Sequence, residues 1–160
     1  MKKQNTLLYI SIGIVMLLII FQITSCSSGK PRLDVEKELI STDSLFSVVS
    51  AEQGMKKAFL AYLDTSAVLI RKNRMPIEGE SLIKNFFEGF SDTSFILTWK
   101  PLKARLSADN TMGFTYGVYE IAEKTTGNLS GTGTYVTIWQ KNGKGNWKAI
   151  FDAGNEGTGK

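Results

Sequence analysis

The residues able to do chemistry in this chain are few, and their types narrow the reaction before any fold is considered. No histidine occurs among the 160 residues, which removes the commonest general base and metal ligand. Cys26 is the only cysteine, so neither a Cys/His nor a Ser/His/Asp arrangement can be built, and a zinc site lacks its usual donors. No glycine-rich phosphate loop follows a strand. Asn142-Gly143-Lys144-Gly145 reads as a hairpin turn, whose glycines need no phosphate to explain them. No metal and no cofactor are expected, and carboxylate chemistry is what remains. Asp64, Glu78, Glu120 and Asp152 are the candidates. Glu120 shares its alternation with Tyr116 inside an aromatic segment, where an acid could act; the plainer reading is an exposed acid near a strand end, paired with a lysine. Asp152, with Asn155, closes the last apolar run, where a structural role competes with a chemical one. Asp64 reads as a turn residue and Glu78 as an acid at a helix start. Arg71 reads as the partner of a surface acid, with an anionic ligand as the alternative.

One domain has to position these residues, because 160 residues hold a single domain of ordinary size and a short appendage. The appendage comes first. Lys2 and Lys3 precede Leu7 to Phe21, a run interrupted only by Ser11 and Gly13, and this charged start, apolar run and small-residue end form the pattern of a secretory signal. Ile23-Thr24-Ser25-Cys26 resembles the lipobox of bacterial lipoproteins. That resemblance implies cleavage after residue 25, a diacylglycerol group on Cys26 and a location in the cell envelope. Ser27 in place of an aspartate resembles the outer-membrane rather than the inner-membrane type. A competing reading keeps residues 6–24 as a transmembrane anchor, since they approach the roughly 20 apolar residues a span requires. Either way the domain lies outside the cytoplasm.

A lone cysteine permits no internal disulfide, so the domain must be stabilised by its core. The formal charge of +4 includes Lys2 and Lys3; without them 17 basic residues face 15 acidic ones. That is near balance, and with no long basic run it gives no reason to expect a nucleic-acid partner. Residues 26–32 form a polar linker, which at about 3.5 Å per residue keeps the domain within roughly 25 Å of the membrane.

From residue 33 to 156 the pattern is that of one α+β domain. Val35, Leu39, Thr42, Phe46 and Val49 fall on one helical stripe, with Asp34, Glu36, Lys37 and Asp43 placed elsewhere. Ser50 and Gln53 have capping-box spacing, which predicts a second helix from about Ala51, carrying Met55, Ala58, Phe59 and Tyr62. Ala67 to Ile70 reads as a short buried strand and Glu80 to Phe90 as a third helix. The period then becomes two. Runs over Phe95 to Leu106, Met112 to Glu123, Ser130 to Lys141 and Trp147 to Ala153, parted by Asp109-Asn110, Gly127-Asn128 and Asn142-Gly143, predict an antiparallel meander. Glycines at 113, 117, 131 and 133 allow it to bend or to be closely approached. On the last strand Trp147, Ala149, Phe151 and Ala153 form an all-apolar set, expected to face the helices.

Ser41-Thr42-Asp43-Ser44-Leu45-Phe46, Ala51-Glu52-Gln53-Gly54-Met55 with Phe59, Pro76-Ile77-Glu78-Gly79, Leu97-Thr98-Trp99, Gly113-Phe114-Thr115-Tyr116-Gly117 and Trp147-Lys148-Ala149-Ile150-Phe151-Asp152 resemble the nuclear transport factor 2-like superfamily. The branch they look like is domain of unknown function 4440, close to the SnoaL-like domains. The resemblance spans about residues 34–155 and implies a cone-shaped fold, three N-terminal helices packed on a curved antiparallel sheet. It implies a pocket walled by aromatics, for which Trp99, Tyr116, Tyr119, Tyr135, Trp139 and Phe151 are the candidates. Two functions follow. One is a non-catalytic module that holds a small apolar or amphipathic molecule or associates with protein, including a homodimer through the sheet. The other is a cofactor-free isomerase or dehydratase of ketosteroid-isomerase type, in which Glu120 or Asp152 would be the acid whose pKa an apolar cone raises.

Overall fold

The computed structural model describes residues 30–89 and 94–158. The expected signal, Cys26 and Phe90 lie outside them. Helix α1 (Arg32–Gln53) buries Val35, Leu39, Asp43, Phe46, Ser47 and Ser50, a stripe at spacings of three and four that turns one face to the sheet. Gly54, at φ 92°, stops it in a conformation that suits glycine. Helix α2 (Met55–Tyr62) follows and buries Ala58 and Phe59. The expected break at Ala51 is therefore three residues early. Ser50 does not cap a helix start; its hydroxyl donates to the Leu97 carbonyl at 2.8 Å, a tertiary bond that outcompetes the local motif.

Strand β1 (Leu63–Ile70) begins where α2 ends, and its middle is irregular. The carboxylate of Asp64 accepts from the Ser66 amide at 3.0 Å and the Ser66 hydroxyl at 2.8 Å, a local turn that bulges the strand between Leu63 and Val68. A two-residue strand β2 (Ile77–Glu78) pairs with it, and Gly79 leads into α3 (Glu80–Glu88), which buries Ile83 and Phe87. Glu78 thus lies in β2, just before the helix. The long strands are β3 (Phe95–Leu106), β4 (Met112–Glu123), β5 (Leu129–Lys141) and β6 (Trp147–Glu156).

The six strands form one sheet in the order β2-β1-β6-β5-β4-β3. The meander β3 to β6 is antiparallel, but β1 runs parallel to β6, so the sheet is mixed where the sequence suggested antiparallel throughout. Strands β1 and β6 meet only after the whole meander has intervened, and periodicity carries no information about the direction of such a distant partner. The helices cover the inner face. Phe46 sits at the centre, its ring 4.8 Å from Phe59, 4.7 Å from Tyr62 and 4.6 Å from Trp99. Burying a side chain of that kind contributes about 1.5–3 kcal/mol, and Phe46 is almost completely buried.

Two bulges decide which residues face inward. Leu102 is the extra residue between the pairs Pro101–Gly117 and Lys103–Tyr116. Ile150 is the extra residue between Ala149–Trp139 and Phe151–Ile138. Each inserts one residue into a period of two and so reverses the alternation beyond it. Trp147 and Ala149 are buried as expected, but past the bulge Asp152 is buried and Phe151 is turned to the other face. The all-apolar set does not stay on one side.

Candidate functional site

Cross-strand register turns the inner face into a grid. One row is Asp152, Thr137 and Thr115; the next is Gly154, Tyr135 and Gly117; the third is Glu156, Gly133, Tyr119 and Trp99. Each tyrosine lies across the sheet from glycine. A Cβ on Gly117 would come 2.8 Å from Cε1 of Tyr135, and one on Gly133 would enter the Tyr119 ring, so these glycines give the rings room to lie flat on the backbone. The result is a hollow.

That hollow is a cavity of about 350 Å³. Met55 and Phe59 of α2 and Phe86 and Phe87 of α3 wall one side; Phe95, Leu97, Trp99 and Ile121 wall another. Its polar groups gather where β1 ends against β6: Arg71, Lys72, Tyr119, Tyr135, Asp152 and Glu156. Size and lining suit a small, mostly apolar ligand with a few polar groups to orient it.

Among the described residues two acids, Asp43 and Asp152, are buried inside the domain, and donors surround both. Asp43 of α1 is fully buried. Its Oδ1 accepts from the Trp99 indole N–H and its Oδ2 from the Tyr135 hydroxyl, both at 2.7 Å. Burial pushes its pKa up, against the pull of hydrogen bonds from Tyr135, Trp99 and Thr115. Tyr135 is in turn held well above the ordinary phenol range, by desolvation first and then by the charge of Asp43. Ser47 completes the anchorage of Trp99 by accepting from its backbone N–H at 2.7 Å. Asp152 binds Arg71 through Oδ1 at 2.7 Å and accepts from the Thr137 hydroxyl through Oδ2 at 2.7 Å. At the rim Lys72 pairs with Glu156 at 2.5 Å, with both side chains largely in water. Tyr119 has a raised pKa, mainly from desolvation and then from Glu156, with Arg71 and Lys72 opposing.

Of the residues singled out by sequence, Trp99, Tyr119, Tyr135 and Asp152 come together at the cavity. Tyr116 and Glu120 do not. They sit on the outer face with Phe114; Tyr116 is 40% exposed, and Glu120 lies between Thr98 and Thr132 in the register. Trp139 is fully buried, donating to the Thr115 hydroxyl at 2.9 Å, and belongs to the core rather than the cavity. Phe151 is displaced to the outer face by the bulge at Ile150. Arg71 meets an acid, but that acid is Asp152 inside the domain and not one at the surface. The sequence reading places Asp43 off the apolar stripe of α1, yet it stands four residues after Leu39 and three before Phe46, on the buried stripe itself. That spacing was the signal available. Among the described residues no three of His, Cys, Asp and Glu cluster closely enough to hold a metal ion.

No family model matches the chain, and no curated protein matches it. Solved structures do. An NTF2-like protein with a cystatin-like fold from Novosphingobium aromaticivorans is similar with a TM-score of 0.65 at 11% identity, over 81% of this chain and 86% of that one. A nuclear transport factor 2 superfamily protein from Salmonella enterica serovar Typhimurium gives 0.60 at 15% identity, over 81% and 99%. A ketosteroid isomerase-like protein from Erwinia carotovora gives 0.59 at 12%, over 74% and 94%. Likeness at such identities shows the fold alone. The fold is the nuclear transport factor 2-like one, three helices on a curved mixed sheet of six strands.

Proposed function

We propose that this chain is an exported lipoprotein, anchored through a lipid on Cys26, whose domain holds a small apolar or amphipathic molecule without transforming it. We assign it to the domain of unknown function 4440 branch on the sequence segments that resemble it. The observation that carries the binding reading is the engagement of both internal acids. Asp43 and Asp152 each have two oxygens occupied by protein donors, beside a cavity walled mainly by apolar side chains. A general base must aim an available lone pair at the proton it removes, and at both acids one acceptor site on each oxygen is already taken by the protein.

Native mass spectrometry and thermal shift on the full-length chain in detergent test this reading. A retained small mass, or a ligand that raises the melting temperature, supports it; finding no ligand, dimer or partner across a broad survey counts against it. For the anchor, the mature N-terminus should carry a diacylglycerol mass that Cys26→Ser removes. Ser27 supports outer-membrane sorting, which membrane fractionation checks. A second copy is the partner supported for the outer face, where Phe114 is 39% and Tyr116 40% exposed; sedimentation of Tyr116→Ala against the unaltered chain tests it.

The isomerase or dehydratase reading retains one acid, because Asp152 lines the cavity and Glu120 does not. Turnover of any responsive substrate that survived Asp152→Asn would end it.

A further inference from the structure

The cavity contains hydrogen-bonding capacity that the fold leaves unused, and Arg71 holds its more enclosed part: its side chain is 24% exposed against 66% for Lys72 at the rim. This inference rests on the reading that the cavity binds a ligand. Nη1 of Arg71 donates to the carbonyls of Ile70 at 2.9 Å and Asp152 at 3.1 Å, and Nη2 donates to Oδ1 of Asp152 at 2.7 Å. A guanidinium has five N–H groups in a fixed plane. Nη1 and Nη2 together hold the carbonyl and the Oδ1 of Asp152, while Nε–H and one N–H of Nη2 have no acceptor among the described residues.

This guanidinium is held in place. Thr137 fixes Asp152 from behind, and the guanidinium lies 5.5 Å from the centre of the Phe59 ring. The Arg71 side chain is 24% exposed and lines the cavity. Tyr119 lines the same cavity, and its hydroxyl has no hydrogen-bond partner among the described residues. Tyr135 differs, because its hydroxyl proton is committed to Asp43. The enclosed part of the site thus offers two N–H groups of Arg71 and the O–H of Tyr119 beside apolar walls, with the Lys72 ammonium at the rim.

Two parallel N–H groups match the two oxygens of a carboxylate, in the bidentate geometry that arginine forms and lysine cannot. Asp152 and Glu156 are each paired with one cation, Arg71 and Lys72, so this end of the cavity is close to charge balance and takes up one negative charge more readily than the two of a phosphate monoester. We propose that the cavity takes an apolar monocarboxylate, its carboxylate on the Nε/Nη2 edge of Arg71 and the Tyr119 hydroxyl, and its body against Phe59, Leu97, Trp99 and Ile121.

The test uses two probes that share a ring system and differ in head group, 2-naphthoate and 2-naphthamide. Both are titrated calorimetrically into the full-length chain in detergent, with a detergent-only blank. A charge-assisted pair should make the acid at least about tenfold tighter than the amide. Arg71→Lys should abolish most of that preference. Tyr119→Phe, which removes one oxygen and leaves the ring on Gly133, should reduce it about threefold or more and keeps the test open if Arg71→Lys fails to fold. Equal binding of acid and amide would overturn the carboxylate assignment while leaving the cavity reading intact. Absence of binding by both probes would overturn the two together.

Discussion

The two faces of this sheet are made from the same kinds of residue and do different things. Inward, Tyr119, Tyr135 and Asp152 stand among Gly117, Gly133 and Gly154 under three helices. Outward, Phe114, Tyr116 and Glu120 stand opposite Ile138, Val136 and Thr132 on β5 and Arg105, Lys103 and Thr98 on β3, with rings and acid exposed. Residue type does not separate a cavity wall from a surface. What separates them is the neighbour across the ladder, since a glycine opposite a ring leaves a hollow and a branched side chain fills it.

The contrast can be broken most severely at Asp43. Replacing it with alanine strands the Trp99 indole N–H and the Tyr135 hydroxyl, and each orphaned buried donor costs about 1–3 kcal/mol. Asp43→Ala should therefore lose roughly 2–6 kcal/mol of stability in chemical denaturation, whereas Glu120→Ala on the other face should stay within about 0.5 kcal/mol. A near-equal loss would mean the two faces are not distinguished as described. Next in size is Gly133→Ala, whose new methyl meets the Tyr119 ring and the backbone of Asn155. Overpacking of that kind costs about 1–3 kcal/mol, and probe binding should weaken as the ring is displaced.

A smaller effect sharpens the comparison by pH. The Asp43 carboxyl is raised from its ordinary 3.8, so over the window above that value the folded state binds more protons at this site than the unfolded chain. Its contribution to stability is fully present below the ordinary value and is lost as pH rises through the raised one. Stability of the unaltered chain relative to Asp43→Asn should therefore decline as pH rises across that window.

Much of this was legible in the residues. The ends of β3 and β4 follow from turn formers and alternating aromatics, and the glycines did signal close backbone approach, as Gly117 and Gly133 bear out. Illegible were the bulges at Leu102 and Ile150, because a two-residue period read along one strand cannot register an extra residue that only the partner strand defines. That single blindness sent Phe151 to the wrong face and left Asp152 with an uncertain one. Asp43 was missed for another reason. Its charge outweighed its spacing, although a buried acid surrounded by donors is an ordinary way to fix a tyrosine and a tryptophan.

The central claim is that ligand enters between helices and sheet, so the most direct measurement is a map of side-chain resonances on adding 2-naphthoate to the full-length chain. Trp99, Tyr119 and Tyr135 should shift together and saturably, with Phe114 and Tyr116 unmoved. Shifts confined to Phe114 and Tyr116, or none at either face, would contradict the account.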